Sequence, residues 1–155
     1  MTPIEAELIV DAIRCWVQER DDLRALALAG SWARGNPDPV SDLDLIIVAE
    51  DPETYRHPDN WLRSISFAKA AFEVARYEIR SYGSVWSCHV LLRPAAEVEL
   101  TFAAPAWAQV NPLDPGTRFV VADGFRAIVD KDEALSRLVA AVRPGTADLA
   151  GSNDG

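Results

Sequence analysis

Asp42 and Asp44 stand two residues apart at the start of an apolar run that continues to Val48. In an extended strand, side chains two apart point to the same face, so the two carboxylates sit side by side. They repel each other unless a cation lies between them. A hard divalent cation suits oxygen ligands of this kind, magnesium above all, and commonly shares them with the phosphates of a substrate. Upstream, a second apolar run, Leu23 to Ala29, leads into Gly30-Ser31. Gly30 lets the backbone come close to a ligand, Ser31 offers a hydroxyl and a helix N-cap, and Ala33-Arg34 begins a short helix whose free amides favour anions. Phosphate on one side and metal on the other imply a nucleoside triphosphate between them.

Further along, Glu97 and Glu99 alternate with Val98 and Leu100, so both acids project from one face of a strand that is otherwise apolar. Other candidates have plainer readings. Arg34 can meet a phosphate or pair with Asp38 at the start of its helix, and Trp32 is expected to pack beneath that helix rather than stack on a base. His57, beside Pro58 in a polar loop, reads as a surface residue. His89 falls on the more polar face of its strand, where a structural or solvent role is favoured over contact with substrate. For Trp107, core packing is favoured over covering a pocket.

Gly30-Ser31-x-Ala33-Arg34-Gly35 followed by Ser41-Asp42-Leu43-Asp44-Leu45 resembles the signature of the DNA polymerase beta-like nucleotidyltransferase superfamily, in particular its minimal nucleotidyltransferase domains. Each half alone is common, and the joint pattern between two apolar strands is far more specific. The resemblance implies a nucleotide site at Gly30, Ser31, Arg34 and Ser41, with two magnesium ions on Asp42 and Asp44. The superfamily takes a third metal-linked carboxylate from a later strand lying beside the Asp-x-Asp strand. Glu99, deeper in its strand, is the choice for it and Glu97 the reserve, although the superfamily usually has aspartate there. The implied activity is magnesium-dependent transfer of a nucleoside monophosphate, AMP from ATP in the first instance, to a hydroxyl of a small molecule or a protein.

Composition limits the alternatives. A chain of 155 residues with 49% hydrophobic and 25% charged residues has the makeup of a globular protein, and residues 1–143 are expected to form one domain, with a disordered tail over 144–155. No apolar run approaches the ~20 residues of a membrane span, and the start MTPIEAE is acidic where a secretory signal is basic, so a cytoplasmic location is expected. Without an export signal, Cys15 and Cys88 are expected to be reduced core thiols. The net charge of -9 disfavours broad nucleic-acid binding, which needs a basic footprint.

The elements that must position the candidate residues can be read in order. Thr2-Pro3-Ile4-Glu5 is a capping box with proline in the first turn, and Ile4, Leu8, Ala12, Ile13, Trp16 and Val17 recur at helical spacing to about Arg20. The two apolar strands around the Gly-Ser turn follow. Leu62, Ile65, Ala68, Phe72, Ala75 and Ile79, three or four apart, predict a helix over Trp61 to Arg80 that Gly83 stops. Strands are expected over Val85 to Leu92 and Glu97 to Phe102. Phe119 to Ala122 and Phe125 to Val129, joined through Asp123-Gly124, read as a hairpin. A last helix, capped within Asp130 to Glu133, carries Leu135, Leu138, Val139 and Val142 as one stripe and ends at Pro144-Gly145. This order fits an α/β (α+β) fold, a mixed sheet with helices packed on one face, and the resembling domains share such a core.

The acceptor is open. Larger relatives that modify aminoglycoside or lincosamide antibiotics carry further segments to hold the drug, so an acceptor site here would be shared with a second subunit in a homodimer, or the acceptor would be a partner protein. Resembling minimal domains also occur as neutralising partners of helical toxins, which gives an alternative reading as a non-catalytic, antitoxin-like binding module. A metal-dependent phosphohydrolase ranks last, because no histidine cluster accompanies the acids and the Gly-Ser turn is left without a role.

Overall fold

The computed structural model describes residues 1–37, 41–83 and 85–143; the expectations for Asp38, for the end of the last helix and for the tail lie outside them. Helix α1, Pro3–Gln18, starts as the sequence predicts: Thr2 N–H donates to Glu5 Oε1 at 2.8 Å, and Glu5 N–H donates to Thr2 Oγ1 at 3.1 Å. Strand β1, Leu23–Ala29, runs into the five-residue helix α2, Gly30–Arg34, and strand β2, Leu43–Ala49, returns antiparallel to β1. Helix α2 begins at Gly30, with Ala29 as its cap, so Ser31 lies inside its first turn and not at the N-cap.

The segment after β2 departs from the expected helix. Residues 52–70 form a succession of short 3-10 turns, and Glu73–Tyr82 is strand β3. Two physical facts explain the difference. Ala71 sits at φ 62°, in the left-handed region where a helix cannot continue. From Tyr77 onward the decisive period is two, because Tyr77, Ile79 and Ser81 face Val90, Cys88 and Trp86 of the next strand while Arg76, Glu78 and Arg80 point the other way. The helical spacing instead reflects aromatic anchoring of the turns. Trp61 stacks on Trp16 at 5.1 Å and Tyr55 on Phe102 at 5.3 Å, which clamps the turns between α1 and the sheet.

Strands β4, Val85–Arg93, and β5, Ala96–Ala103, complete that half of the sheet. The expected hairpin after them is a helix followed by a strand: α3, Pro115–Asp123, then β6, Phe125–Asp130. Asp114 and Pro115 are a stronger start signal than Asp123-Gly124 is a turn signal, and the Asp114 carboxylate accepts from Thr117 N–H at 3.0 Å. Helix α4, Ala134–Val142, is held by the Asp130 carboxylate, which accepts from the Leu135 and Ser136 N–H groups at 2.9 Å each.

The six strands run in the order β3-β4-β5-β2-β1-β6 and are antiparallel except for the central β5–β2 pair, which is parallel. The mixed sheet is as expected, with its helices divided between the faces instead of gathered on one. Leu26, Leu28, Leu45 and Ile47 face α1 and the 3-10 turns. The opposite face of β1 and β2 presents Ala25, Ala27, Ile46 and Val48 to Val121 of α3 and to Leu135 and Leu138 of α4. Alanines on β1 let those helices approach closely. Both cysteines are free; Cys88 is buried and Cys15 is exposed on α1, so it is not the core thiol the sequence suggested. No helix among the described residues is long and apolar enough to cross a membrane.

Candidate active site

On the α3 and α4 face the helices cover β6, β1 and the far part of β2, and stop short of β5 and β4. There the strands present polar residues. Asp44 on β2 is the register partner of Ala29 on one side and of Glu99 on the other, so the sheet itself places the second aspartate beside the second glutamate. His89 on β4 is in turn the partner of Glu99. Ser87, fully buried, donates its hydroxyl to Glu99 Oε2 at 2.9 Å.

The Asp44 carboxyl is pushed up from 3.8 to about 6. Burial is the largest cause, the charges of Glu99 and Asp42 add to it, and His89 opposes them. Among the described residues no hydrogen bond reaches the Asp44 carboxylate to offset this. Asp44 and Glu99 thus stand side by side with little compensation, and carboxylate oxygens of this kind are the hard donors a divalent cation prefers.

Gly30 touches the same carboxylate. Its φ is 71°, a conformation that favours glycine, and a Cβ there would lie 2.9 Å from Asp44 Oδ2 and push that carboxylate aside. Its N–H donates to Gly124 O at 3.1 Å, which ties α2 to the end of α3. Gly124 has a similar constraint, since a Cβ would come within 2.7 Å of Arg34 Cγ and 2.8 Å of Gly30 O. Gly30, Asp44, Glu99, Val85, Trp107 and Phe119 line one cleft of about 310 Å³.

The remaining sequence candidates divide. Arg34 is paired with Asp123, Nη1 to Oδ2 at 2.8 Å, across the edge of the cleft, so a phosphate would have to compete with that ion pair. Ser31 lies in α2 directly after Gly30. Ser41 leads into the aspartates, and its carbonyl accepts from Trp32 Nε1 at 3.3 Å; Trp32 otherwise packs against the core, as expected. Trp107 lies tilted over Phe125 at 6.3 Å and also lines the cleft, so it serves packing and the pocket wall together.

Asp42 and Glu97 form a second group beside the first, joined by His89. The imidazole is 5% exposed, with Nε2 3.3 Å from Asp42 Oδ2 and 3.1 Å from Glu97 Oε1. The two glutamates thus have different neighbours, Glu99 with Asp44 and Ser87, and Glu97 with His89 and Asp42. Sequence reasoning left His89 a bland role and passed over Ser87; the available signal was that both share a strand face with a carboxylate-bearing neighbour strand.

The nucleotidyltransferase domain family matches residues 10–101, well over half of the chain and the whole of the segment from α1 into β5 that carries Gly30, Asp42, Asp44 and Glu99. No curated protein matches. Among solved structures, an aminoglycoside 6-adenyltransferase from Bacillus subtilis is similar at a TM-score of 0.51 and 16% identity, over 69% of this chain and 37% of that one. At that identity the likeness is one of fold, and this chain spans little more than a third of that protein's length. With its mixed sheet, its glycine turn against Asp44 and the family match through both, the chain belongs to the nucleotidyltransferase domain family.

Proposed function

We propose that this chain transfers a nucleoside monophosphate, AMP from ATP, to a hydroxyl of a small molecule or a protein. The observation that carries the reading is the register of β2 against β5, which sets Asp44 beside Glu99 in a cleft whose floor is the Gly30 turn. Asp42, Asp44 and Glu99 would hold two magnesium ions, which when bound polarise the acceptor oxygen and offset charge on the leaving pyrophosphate. The chain's own part is positioning. Gly30 gives the triphosphate room to approach, and because its N–H is engaged by Gly124, the anion contacts fall to the Ser31 hydroxyl and the amides that follow. Arg34 and Ser41 complete the nucleotide contacts, Arg34 by exchanging Asp123 for a phosphate. Glu99, one oxygen of which Ser87 holds, takes the acceptor proton as the new oxygen–phosphorus bond forms and pyrophosphate departs. Trp107 and Val85 form the apolar wall of the cleft.

Adenylyl transfer and a small-molecule acceptor are supported by the structural neighbour, which is an adenyltransferase acting on aminoglycosides. Calorimetric titration with a nonhydrolysable ATP analogue, with and without magnesium, tests the reading. Magnesium-dependent binding that Asp44→Asn removes is expected. Lack of such binding to analogues of all four nucleotides would refute it and turn the assignment to a module that neutralises a partner protein.

A further inference from the structure

The two ring nitrogens of His89 face partners of opposite character. Nδ1 lies 3.3 Å from Arg80 Nη2, while Nε2 lies between Asp42 Oδ2 and Glu97 Oε1. A guanidinium has only donors, so Nδ1 must accept, and the proton of a neutral imidazole then sits on Nε2, where it is given to Asp42 Oδ2, with Glu97 Oε1 an ion-pair neighbour of the same nitrogen. One arrangement of protons satisfies both hydrogen bonds of the ring, to Arg80 and to Asp42. In it Nε2 has no lone pair for a cation. Asp42, His89 and Glu97 bring their ligand atoms within 4.8 Å of one another, yet the histidine can join a metal only by giving up Arg80.

Asp42 has particular need of such a partner. Asp44 is fixed inside the ladder between Ala29 and Glu99, whereas Asp42 precedes the first residue of β2 and its backbone lacks that support. We propose that His89 is a positioning residue for nucleotidyl transfer, holding Asp42 Oδ2 through its Nε2–H, and that Arg80 on β3 fixes the imidazole in the tautomer that can do so. One oxygen of Asp42 is thereby held and the other left for the cation. Glu97 Oε1, 3.1 Å from the same nitrogen, flanks the imidazole from β5. The inference rests on the reading of Asp42 as a metal-site carboxylate.

Two measurements on the full chain test it, neither needing an acceptor. Only two histidines are present, so nitrogen-15 spectra of the imidazole rings, taken near pH 8 where an ordinary imidazole is neutral, resolve the His89 tautomer directly. The proton is expected on Nε2, with a mixture of tautomers in Arg80→Met; a proton on Nδ1 in the unaltered protein overturns the proposal. Titration with Mn2+ supplies the second readout. His89→Leu should weaken binding roughly ten- to a hundredfold, the range seen when an outer partner of a metal ligand is lost, and His89→Gln, which returns an N–H at similar reach, should restore most of it. Wild-type affinity in His89→Leu overturns the proposal. So does equal loss in folded His89→Leu and His89→Gln, which would make the ring nitrogen itself a ligand. Should His89→Leu not fold, the tautomer spectrum and a several-fold loss of Mn2+ affinity in Arg80→Met decide. Asp44→Asn separates the two levels of inference. Mn2+ binding that it leaves unchanged sinks the metal-site reading as a whole, whereas binding that it abolishes but His89→Leu leaves intact sinks only the role of His89.

Discussion

Asp44→Asn should make the metal-free protein more stable while removing its function. The side chain keeps its shape against Gly30 and loses the charge that burial, Glu99 and Asp42 disfavour. A carboxyl raised from 3.8 to about 6 holds its proton more tightly in the folded chain than in the unfolded one. Folding therefore carries no penalty from this group below the unfolded value; the penalty grows as pH rises between the two values and is complete above the folded one. Full conversion at about 1.4 kcal/mol per decade gives about 3 kcal/mol, and because the side chain is partly exposed, solvent screening reduces this to about 1–2 kcal/mol. For a chain of this size that corresponds to a melting temperature about 3–6 °C higher. Thermal melts of both proteins without divalent ions, near pH 8 and near pH 4, measure it: the gain should be full at the higher pH and mostly lost at the lower. Added magnesium should raise the unaltered protein and leave Asp44→Asn where it was. A variant no more stable near pH 8, or one equally stabilised at both pH values, would refute the electrostatic account of the site.

Three further outcomes follow from the geometry. Gly30→Ala forces a side chain into the left-handed region and against Asp44 Oδ2, so it should cost about 1–2 kcal/mol in urea unfolding and abolish magnesium-dependent binding of the ATP analogue; a melt and titration like those of the unaltered protein would show that the turn has slack. Glu99→Gln should weaken that binding at least about tenfold, whereas Glu97→Gln, one step removed behind His89, should do so by less; the reverse ranking in the same titration would move the third carboxylate to Glu97. Asp130→Ala removes the carboxylate that caps α4 and should lower stability by about 1–2 kcal/mol without touching nucleotide affinity, as read from paired urea melts and titrations; an undiminished midpoint would mean that packing of Leu135 and Leu138 alone sets the helix.

The features that sequence made legible are those decided within a few residues. The Thr2 capping box, the Gly30 turn between two apolar runs and the alternation of Glu97 and Glu99 each follow from local chemistry, and all appear in the fold. The two misread elements failed where a distant contact outweighs a local pattern. Apolar residues at helical spacing from Leu62 to Ile79 are satisfied by aromatic clamping onto α1 and Phe102 and then by pairing with β4, and nothing within that segment announces either partner. At Phe119 to Val129 the Asp-Gly signal was real but served to end a helix, because Asp114-Pro115 had already started one. His89 illustrates the same limit at the site. Alternation fixes the face on which it lies, but its partners arrive from β3, from β5 and from the residue before β2.

The placement of the acids nevertheless depends on the core, and this is why a pattern of apolar residues carries functional information. Along β5, Val98, Leu100 and Phe102 are buried on the α1 face, and Leu43, Leu45 and Ile47 of β2 are buried beside them in register. Because side chains alternate, a slip of one residue between these strands would turn both glutamates into that core and bring the large apolar side chains to the cleft. Burying an unpaired carboxylate there costs several kcal/mol, far more than any single contact in the cleft returns. The register that seals the aliphatic face is therefore the one that sets Glu99 opposite Asp44. A slip of two residues keeps the faces but pairs Asp44 with Glu97 or Thr101, and the parallel ladder opposes it through the pairing of Leu45 with Leu100 and Ile47 with Phe102, whose ring is stacked between Tyr55 and Trp86. Phe102 thus acts at a distance on the chemistry of the opposite face: it anchors β5, and with it the choice between two otherwise equivalent glutamates.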